Sequence, residues 1–225
     1  MRAKKWQKWL SYLWEIPLER VSSPHNELLS VYLKNGRYQL CTANAIYSYD
    51  DLYDNFTSAF HRLQIERQNI EEILLLGLGL GSIPYTLEKV FHQFYHYTAV
   101  EIDEAIIDLA HRYTLQYLDS GIDIISADAI AYVAQTGQTF DLICMDIFQD
   151  DEVPEGFEQL TFLRRLKDLL RPNGWLLYNR LSLTKEDERD TRIFFEDTFR
   201  AVFPEATYLD VKTNWILLNR PIEDS

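Results

Sequence analysis

Three acidic residues stand at the ends of successive apolar runs: Glu101 after Tyr97-Thr98-Ala99-Val100, Asp128 after Ile124-Ile125-Ser126-Ala127, and Asp146 after Leu142-Ile143-Cys144-Met145. An ionised carboxylate only accepts hydrogen bonds, so acids placed this way suit hydroxyls, amines or a proton in transit. Upstream, Ile73-Leu74-Leu75-Leu76 runs straight into Gly77-Leu78-Gly79-Leu80-Gly81 and then into a helical pattern. Glycines allow a sharp turn and the close approach of a ligand, and a helix start presents unpaired N–H groups. Together these features mark a nucleotide-binding crevice floored by Gly77, Gly79 and Gly81. An adenosine there would offer its ribose hydroxyls to Glu101 and its exocyclic amine to Asp128. Each acid could equally cap a helix or solvate a strand end. Asp146 is where a general base or amine anchor would sit, and Asp150, Asp151 and Glu152 add negative potential for a cationic acceptor, or form an acidic solvent loop.

The elements that must position these residues follow an alternating rhythm from Asp54 onward. Helical patterns are predicted to about Gln68, over Ile83–Phe91, Glu104–Tyr117, Phe157–Leu170 and Lys185–Phe203. Strands are predicted at Ile73–Leu76, Tyr97–Glu101, Ile122–Ser126, Phe140–Asp146 and Trp175–Arg180, with Pro172-Asn173-Gly174 as a stop. This is a βαβ order and implies a doubly wound, mostly parallel sheet. At the end, Ala206–Val211 and Asn214–Asn219 are separated only by Lys212-Thr213, too short for a parallel crossover, so an antiparallel hairpin closes a seven-stranded sheet. Residues 1–53 read as a separate extension before the 54–225 nucleoside-binding domain. They hold a basic helix, a hairpin turning at Asn35-Gly36 between Leu28–Leu33 and Arg37–Leu40, and a strand near Ala45–Tyr49.

A net charge of −13 argues against a nucleic-acid partner and favours small cationic substrates. Only Cys41 and Cys144 occur, so buried thiols and a reducing cytoplasm are expected. His92 and His96 fall among aromatic residues at a helix end and are not read as a metal site; Tyr47, Tyr49, Tyr53 and Tyr178 read as core more readily than as an acceptor pocket. The N-terminal segment interleaves Arg2, Lys4, Lys5 and Lys8 with Trp6, Trp9, Leu10, Leu13 and Trp14 at helical spacing. It lacks the features of a signal peptide, and docking on the protein's own body or in a homodimer is preferred over membrane contact.

Glu101 lies twenty residues after Gly81, a spacing that nicotinamide-binding domains also use. The terminal hairpin decides otherwise. It resembles the class I S-adenosylmethionine-dependent methyltransferase fold, and within it the spermidine synthases and their relatives, over about Leu33 to Leu218. The resemblance rests on the Asn35-Gly36 hairpin, Tyr49-Asp50-Asp51-Leu52-Tyr53-Asp54, the glycine loop, Val100-Glu101-Ile102-Asp103, Ala127-Asp128-Ala129, Phe140 to Asp146, and Pro154 with Leu160-Thr161-Phe162-Leu163. It implies that Glu101 holds ribose, that Asp128 holds adenine, that Asp103 and Ala129 belong to the same cofactor-binding set, and that Asp146 sits beside the reacting amine. It implies S-adenosylmethionine or its decarboxylated form as cofactor. The chain departs from the family at Leu80, where an aspartate precedes the last glycine, and at Gln149, which aligns with a second catalytic-loop aspartate, although Asp150 follows it. The glycine-loop aspartate that Leu80 replaces would bind the free amine of the decarboxylated nucleoside. These departures favour methylation of a small-molecule acceptor. The alternatives are aminopropyl transfer making a polyamine, and a non-catalytic nucleoside-sensing or dimerisation module.

Overall fold

The computed structural model describes residues 3–42, 46–48, 54–149 and 153–222, with the backbone alone for 46–48 and 54. After α1 (Lys5–Leu10), strands β1 (Ile16–Val21), β2 (Leu29–Lys34), β3 (Arg37–Cys41) and β4 (Ile46–Ser48) form an antiparallel sheet in chain order. The Asn35-Gly36 turn links β2 and β3, both residues at positive φ, as a two-residue hairpin requires.

The larger sheet has seven strands in the order β10-β11-β9-β8-β5-β6-β7. They are β5 (Glu72–Leu76), β6 (His96–Glu101), β7 (Gly121–Ser126), β8 (Phe140–Met145), β9 (Leu170–Leu181), β10 (Thr207–Val211) and β11 (Asn214–Leu218). The five from β7 to β9 are parallel, and β11 pairs antiparallel with both β9 and β10. The expected doubly wound sheet with its closing hairpin is present. Continuous apolar runs such as Ile73–Leu76 and Leu142–Met145 are buried on both faces. One face packs α2 (Asp54–Leu63), α3 (Ser82–Lys89) and the end of α4 (Glu104–Tyr113). The other packs α5 (Ala129–Gln135), α6 (Glu155–Glu158), α7 (Leu160–Leu169) and the segment after α8 (Lys185–Ile193).

Several boundaries differ from the sequence pattern. The first long helix ends at Leu63, and a short 3₁₀ turn, Ile65–Arg67, follows Gln64 in left-handed backbone. The Phe157–Leu170 pattern divides into α6 and α7 at Gln159, whose backbone is extended. Pro172-Asn173-Gly174 lies within β9, where the pairing with β8 shifts register, instead of ending the element before it. The last helical pattern opens into a π-helix over Phe194–Phe199 before α9 (Arg200–Val202), with Phe194, Phe195 and Phe199 packed in the core.

The extension is tied to the sheet through α4. Leu29, Val31, Leu33, Tyr38 and Leu40 share an apolar cluster with Ile106, Leu109, Tyr113 and Leu80. Glu19 accepts two hydrogen bonds from Arg112 and one from Tyr113, which hold its carboxyl below the ordinary range although burial pushes the other way. The α1 backbone is anchored, since Gly36 N–H donates to Ser11 Oγ and Asn35 N–H to Ser11 O. Its aromatic stripe is not: Trp6, Trp9 and Trp14 remain exposed, so docking on the protein's own body does not cover them. Among the described residues no helix is long and apolar enough to cross a membrane.

Candidate functional site

The glycine loop is built by alternation. Gly77, Gly79 and Gly81 all have positive φ, while Leu78 drops into the cluster under α2 and α3 and Leu80 into the cluster beneath the extension. The leucines anchor the loop to both sides and the glycines let the backbone reverse between them. At Gly77 an added Cβ would meet the Asp146 carbonyl oxygen at 2.4 Å, so the loop and the end of β8 are in direct contact. Asp146 N–H also donates to Leu76 O at 2.8 Å. Helix α3 begins after Gly81 with no side-chain cap.

Glu101 ends β6 and is only 8% exposed. Its Oε2 accepts from Leu78 N–H at 3.1 Å and its Oε1 from Asp103 N–H at 3.0 Å, which clamps the carboxylate to the glycine loop and leaves each oxygen a further acceptor position. Burial raises its pKa from 4.5, and backbone N–H groups of Asp103, Leu78 and Ile102 offset part of that rise. Asp128 lies two residues beyond β7, is exposed, and caps α5 by accepting from Ala131 N–H at 2.8 Å. Ala129 opens that helix and is buried. The strand ends are joined, since Ala127 N–H donates to Glu101 O and Gly77 N–H to Val100 O.

Two isoleucines missed by sequence reasoning flank these acids. Ile102 follows Glu101 and Ile130 follows Ala129; they are 43% and 37% exposed on adjacent βα turns. An apolar residue left uncovered beside a strand-end acid was the available signal. Acceptors for hydroxyls and an amine, with apolar surface for a flat ring, fit a nucleoside. Asp103 sits differently. It is almost fully buried; Oδ1 caps α4 through Ala105 N–H, and Oδ2 accepts from Ser23 Oγ at 2.5 Å and Asn26 Nδ2 at 2.7 Å. Its carboxylate fastens the segment before β2 to the crevice.

Asp146 is half-buried and accepts from Asn179 Nδ2 at 2.9 Å. Asn179 in turn accepts from Asn214 Nδ2 at 2.9 Å, and Asn214 Oδ1 from Thr213 Oγ1 at 3.0 Å. This polar chain from the β10–β11 hairpin to the strand end, buried at Asn179 and Asn214, was also missed; its signal was an asparagine inside each apolar run, Leu176-Leu177-Tyr178-Asn179 and Asn214-Trp215-Ile216. Gln149 is exposed. Asp150, Asp151 and Glu152 lie outside the described residues, as do residues 49–53 of the acidic tyrosine segment and the side chains of Tyr47 and Asp54. Tyr178 is core, donating to Phe157 O among Phe194 and Phe199. Leu80 is fully buried among Leu29, Val31 and Leu33, so position 80 presents nothing polar. Cys144 is buried and its thiol pushed well up by burial; Cys41, expected to be buried, is only partly so. His96 lies between Glu72 and Asp123 at the start of β6, while His92 follows α3 in left-handed backbone.

The order of the sheet, with a glycine loop after its central strand and acids at the ends of the next strands, defines a nucleoside-binding class of the doubly wound fold. A model of the spermine/spermidine synthase domain matches residues 57–214, and the chain belongs to that family. A polyamine aminopropyltransferase of Vibrio vulnificus is 32% identical over 138 residues, covering 60% of this chain and 44% of that protein. The human eEF1A lysine and N-terminal methyltransferase is 26% identical over 119 residues, covering 48% of this chain and 17% of that one. The chain thus spans less than half the length of these curated relatives. A probable spermidine synthase from Corynebacterium glutamicum superposes with a TM-score of 0.69 at 18% identity, over 90% of this chain and 78% of that one, a likeness of fold.

Proposed function

We propose that this protein is a transferase that moves an alkyl group from the sulfonium of an S-adenosylmethionine-type nucleoside to an amine. Family membership and the aminopropyltransferase relative favour aminopropyl transfer from the decarboxylated nucleoside over the methyl transfer that the sequence pattern suggested. The observation that carries the reading is the clamp of Glu101 on Leu78 N–H, which sets an acceptor for ribose hydroxyls against the glycine loop. Gly77, Gly79, Gly81, Asp128 and Ala129 complete the nucleoside side, and Asp103 positions it. The sulfonium supplies an activated carbon, so the protein need not activate a leaving group. Its residues orient the amine in line, and Asp146, aimed by Asn179, takes the proton that the amine loses as the N–C bond forms and the C–S bond breaks. Asp150, which lies outside the described residues, is kept from the sequence pattern as a second acid for a cationic acceptor.

Methyl transfer is the second reading, and Leu80 favours it. A pocket for the decarboxylated donor must hold a terminal ammonium, and an apolar side chain turned into the extension core cannot pair with one. Direct competition between the two nucleosides, followed by product analysis with putrescine, tests both. Tighter binding of the decarboxylated form with spermidine as product is the expected result. Tighter S-adenosylmethionine binding without spermidine would establish the second reading, and no binding of either would overturn both.

The same proposal includes a homodimer in a cytoplasmic setting that fits two unpaired thiols. Trp6, Trp9 and Trp14 expose 58%, 68% and 70% of their surface, and a second copy is the simplest cover for them. Light scattering of the full chain against W6S/W9S/W14S tests it. A dimer lost in the variant is expected; a monomer in both contradicts it.

A further inference from the structure

At the opposite end of the sheet from the glycine loop lies a cavity of about 190 Å³. Trp175 is in its wall and pairs in register with Leu142, which pairs with Ile73, so it opens where β5 and β8 begin. Three guanidinium groups line it: Arg62 at the end of α2, Arg67 in the following 3₁₀ turn and Arg220 after β11.

Arg62, Arg67 and Arg220 pair with no carboxylate among the described residues, as is also true of Arg20, Arg164 and Arg165, whereas Arg112, Arg171, Arg180, Arg192 and Arg200 each pair with one; what sets the first three apart is that they line one pocket. Arg220 donates to Asn173 O at 2.8 Å and lies 3.9 Å from the centre of the Trp175 ring, and its Nε is buried without a partner. The wall is fixed. Trp175 Nε1 donates to Gln68 Oε1, and Gln68 Nε2 donates to Leu63 O, which pins the turn carrying Arg67. That turn includes Gln64 at φ 48°, a left-handed conformation that a non-glycine residue holds only when its surroundings impose it. Three arginines around one pocket with a fixed wall give it a local positive charge, and the guanidinium fork matches the oxygens of a phosphate.

We propose that this cavity binds a compact phosphate-bearing anion, separately from the nucleoside crevice. The site does not depend on the transferase reading, because none of its residues belongs to that crevice. Calorimetric titration of the full chain with inorganic phosphate and with pyrophosphate, at low and matched ionic strength, tests it. R62Q/R67Q is the decisive variant, since both side chains are exposed and their loss leaves the core intact. Saturable binding with one site per chain is expected, weakened at least tenfold in R62Q/R67Q while its melting temperature without ligand is unchanged. R220Q is expected to weaken binding as well. Absence of saturable binding, equal affinity in wild type and R62Q/R67Q, or an identical response to chloride at the same ionic strength would each overturn the proposal.

Discussion

The nucleoside side and the acceptor side of the crevice are built on opposite plans. On the first, Glu101 is buried, bonded to two backbone N–H groups and locked to the glycine loop, so its geometry is set before any ligand arrives. On the second, Asp146 is half-buried and aimed by a chain of neutral amides, Gln149 is exposed, and position 80 is withdrawn into an apolar cluster. A common donor demands a fixed, desolvated acceptor for its invariant ribose, whereas acceptor choice needs surfaces that can vary without disturbing the sheet. On the proposed reading the first side holds the shared donor and the second side sets the choice of acceptor.

The largest expected effect separates the two sides by chemistry. Asp146→Asn removes the proton acceptor and leaves the nucleoside side intact, so kcat falls about 10²–10⁴-fold while nucleoside affinity changes little. Single-turnover rates beside equilibrium titration check this; a parallel loss of both would merge the two sides. Next, Leu80→Asp restores the acid of the family pattern but in a position turned inward. Burying an unpaired carboxylate there costs about 3–5 kcal/mol, so denaturant unfolding is expected to show a large loss of stability without any gain for the decarboxylated donor. A folded variant that binds that donor more tightly would show that position 80 can face the crevice.

A smaller effect follows from Glu101's raised pKa. An acid with a raised pKa in the folded state favours folding fully below its unfolded value of 4.5 and loses that contribution as pH rises through the folded value. Glu101→Gln is therefore expected to gain stability relative to wild type as pH increases across that window, measured by thermal melting from pH 4 upward. Nucleoside affinity should move oppositely in wild type, falling as the carboxylate protonates. The smallest effect belongs to Asn179→Ala, which leaves Asn214 Nδ2 and Asp146 each short of a partner. It costs about 1–3 kcal/mol of stability and shifts the acid limb of the pH–rate profile; a purely structural residue would leave that profile in place.

Much of the nucleoside side was legible because its signals are local. An apolar run followed by glycines, and acids at strand ends, are set by backbone geometry that a few adjacent residues dictate. The Asn35-Gly36 turn and the two-residue Lys212-Thr213 connection were readable for the same reason. Strand β1 was not: Ile16-Pro17-Leu18-Glu19-Arg20-Val21 has no clean alternation, and it forms because β2 offers it an edge, with a bulge at Pro17 to Glu19. The π-helix at Phe194–Phe199 likewise answers to aromatic packing under β9 and β11. Asn179 and Asn214 escaped notice because their partners come together only through strand order. The acceptor side is least legible of all, since its parts are loop side chains whose convergence depends on tertiary structure.

The central claim is that a sulfonium nucleoside is held by Glu101 against the glycine loop, and calorimetric titration of S-adenosylmethionine and its decarboxylated form into wild type and Glu101→Ala tests it most directly. Losing charge-assisted hydrogen bonds worth about 1.5–3 kcal/mol each predicts saturable binding of at least one nucleoside by wild type and at least a tenfold loss in the variant. Unchanged affinity in Glu101→Ala, or no binding of either nucleoside to wild type, would contradict the account.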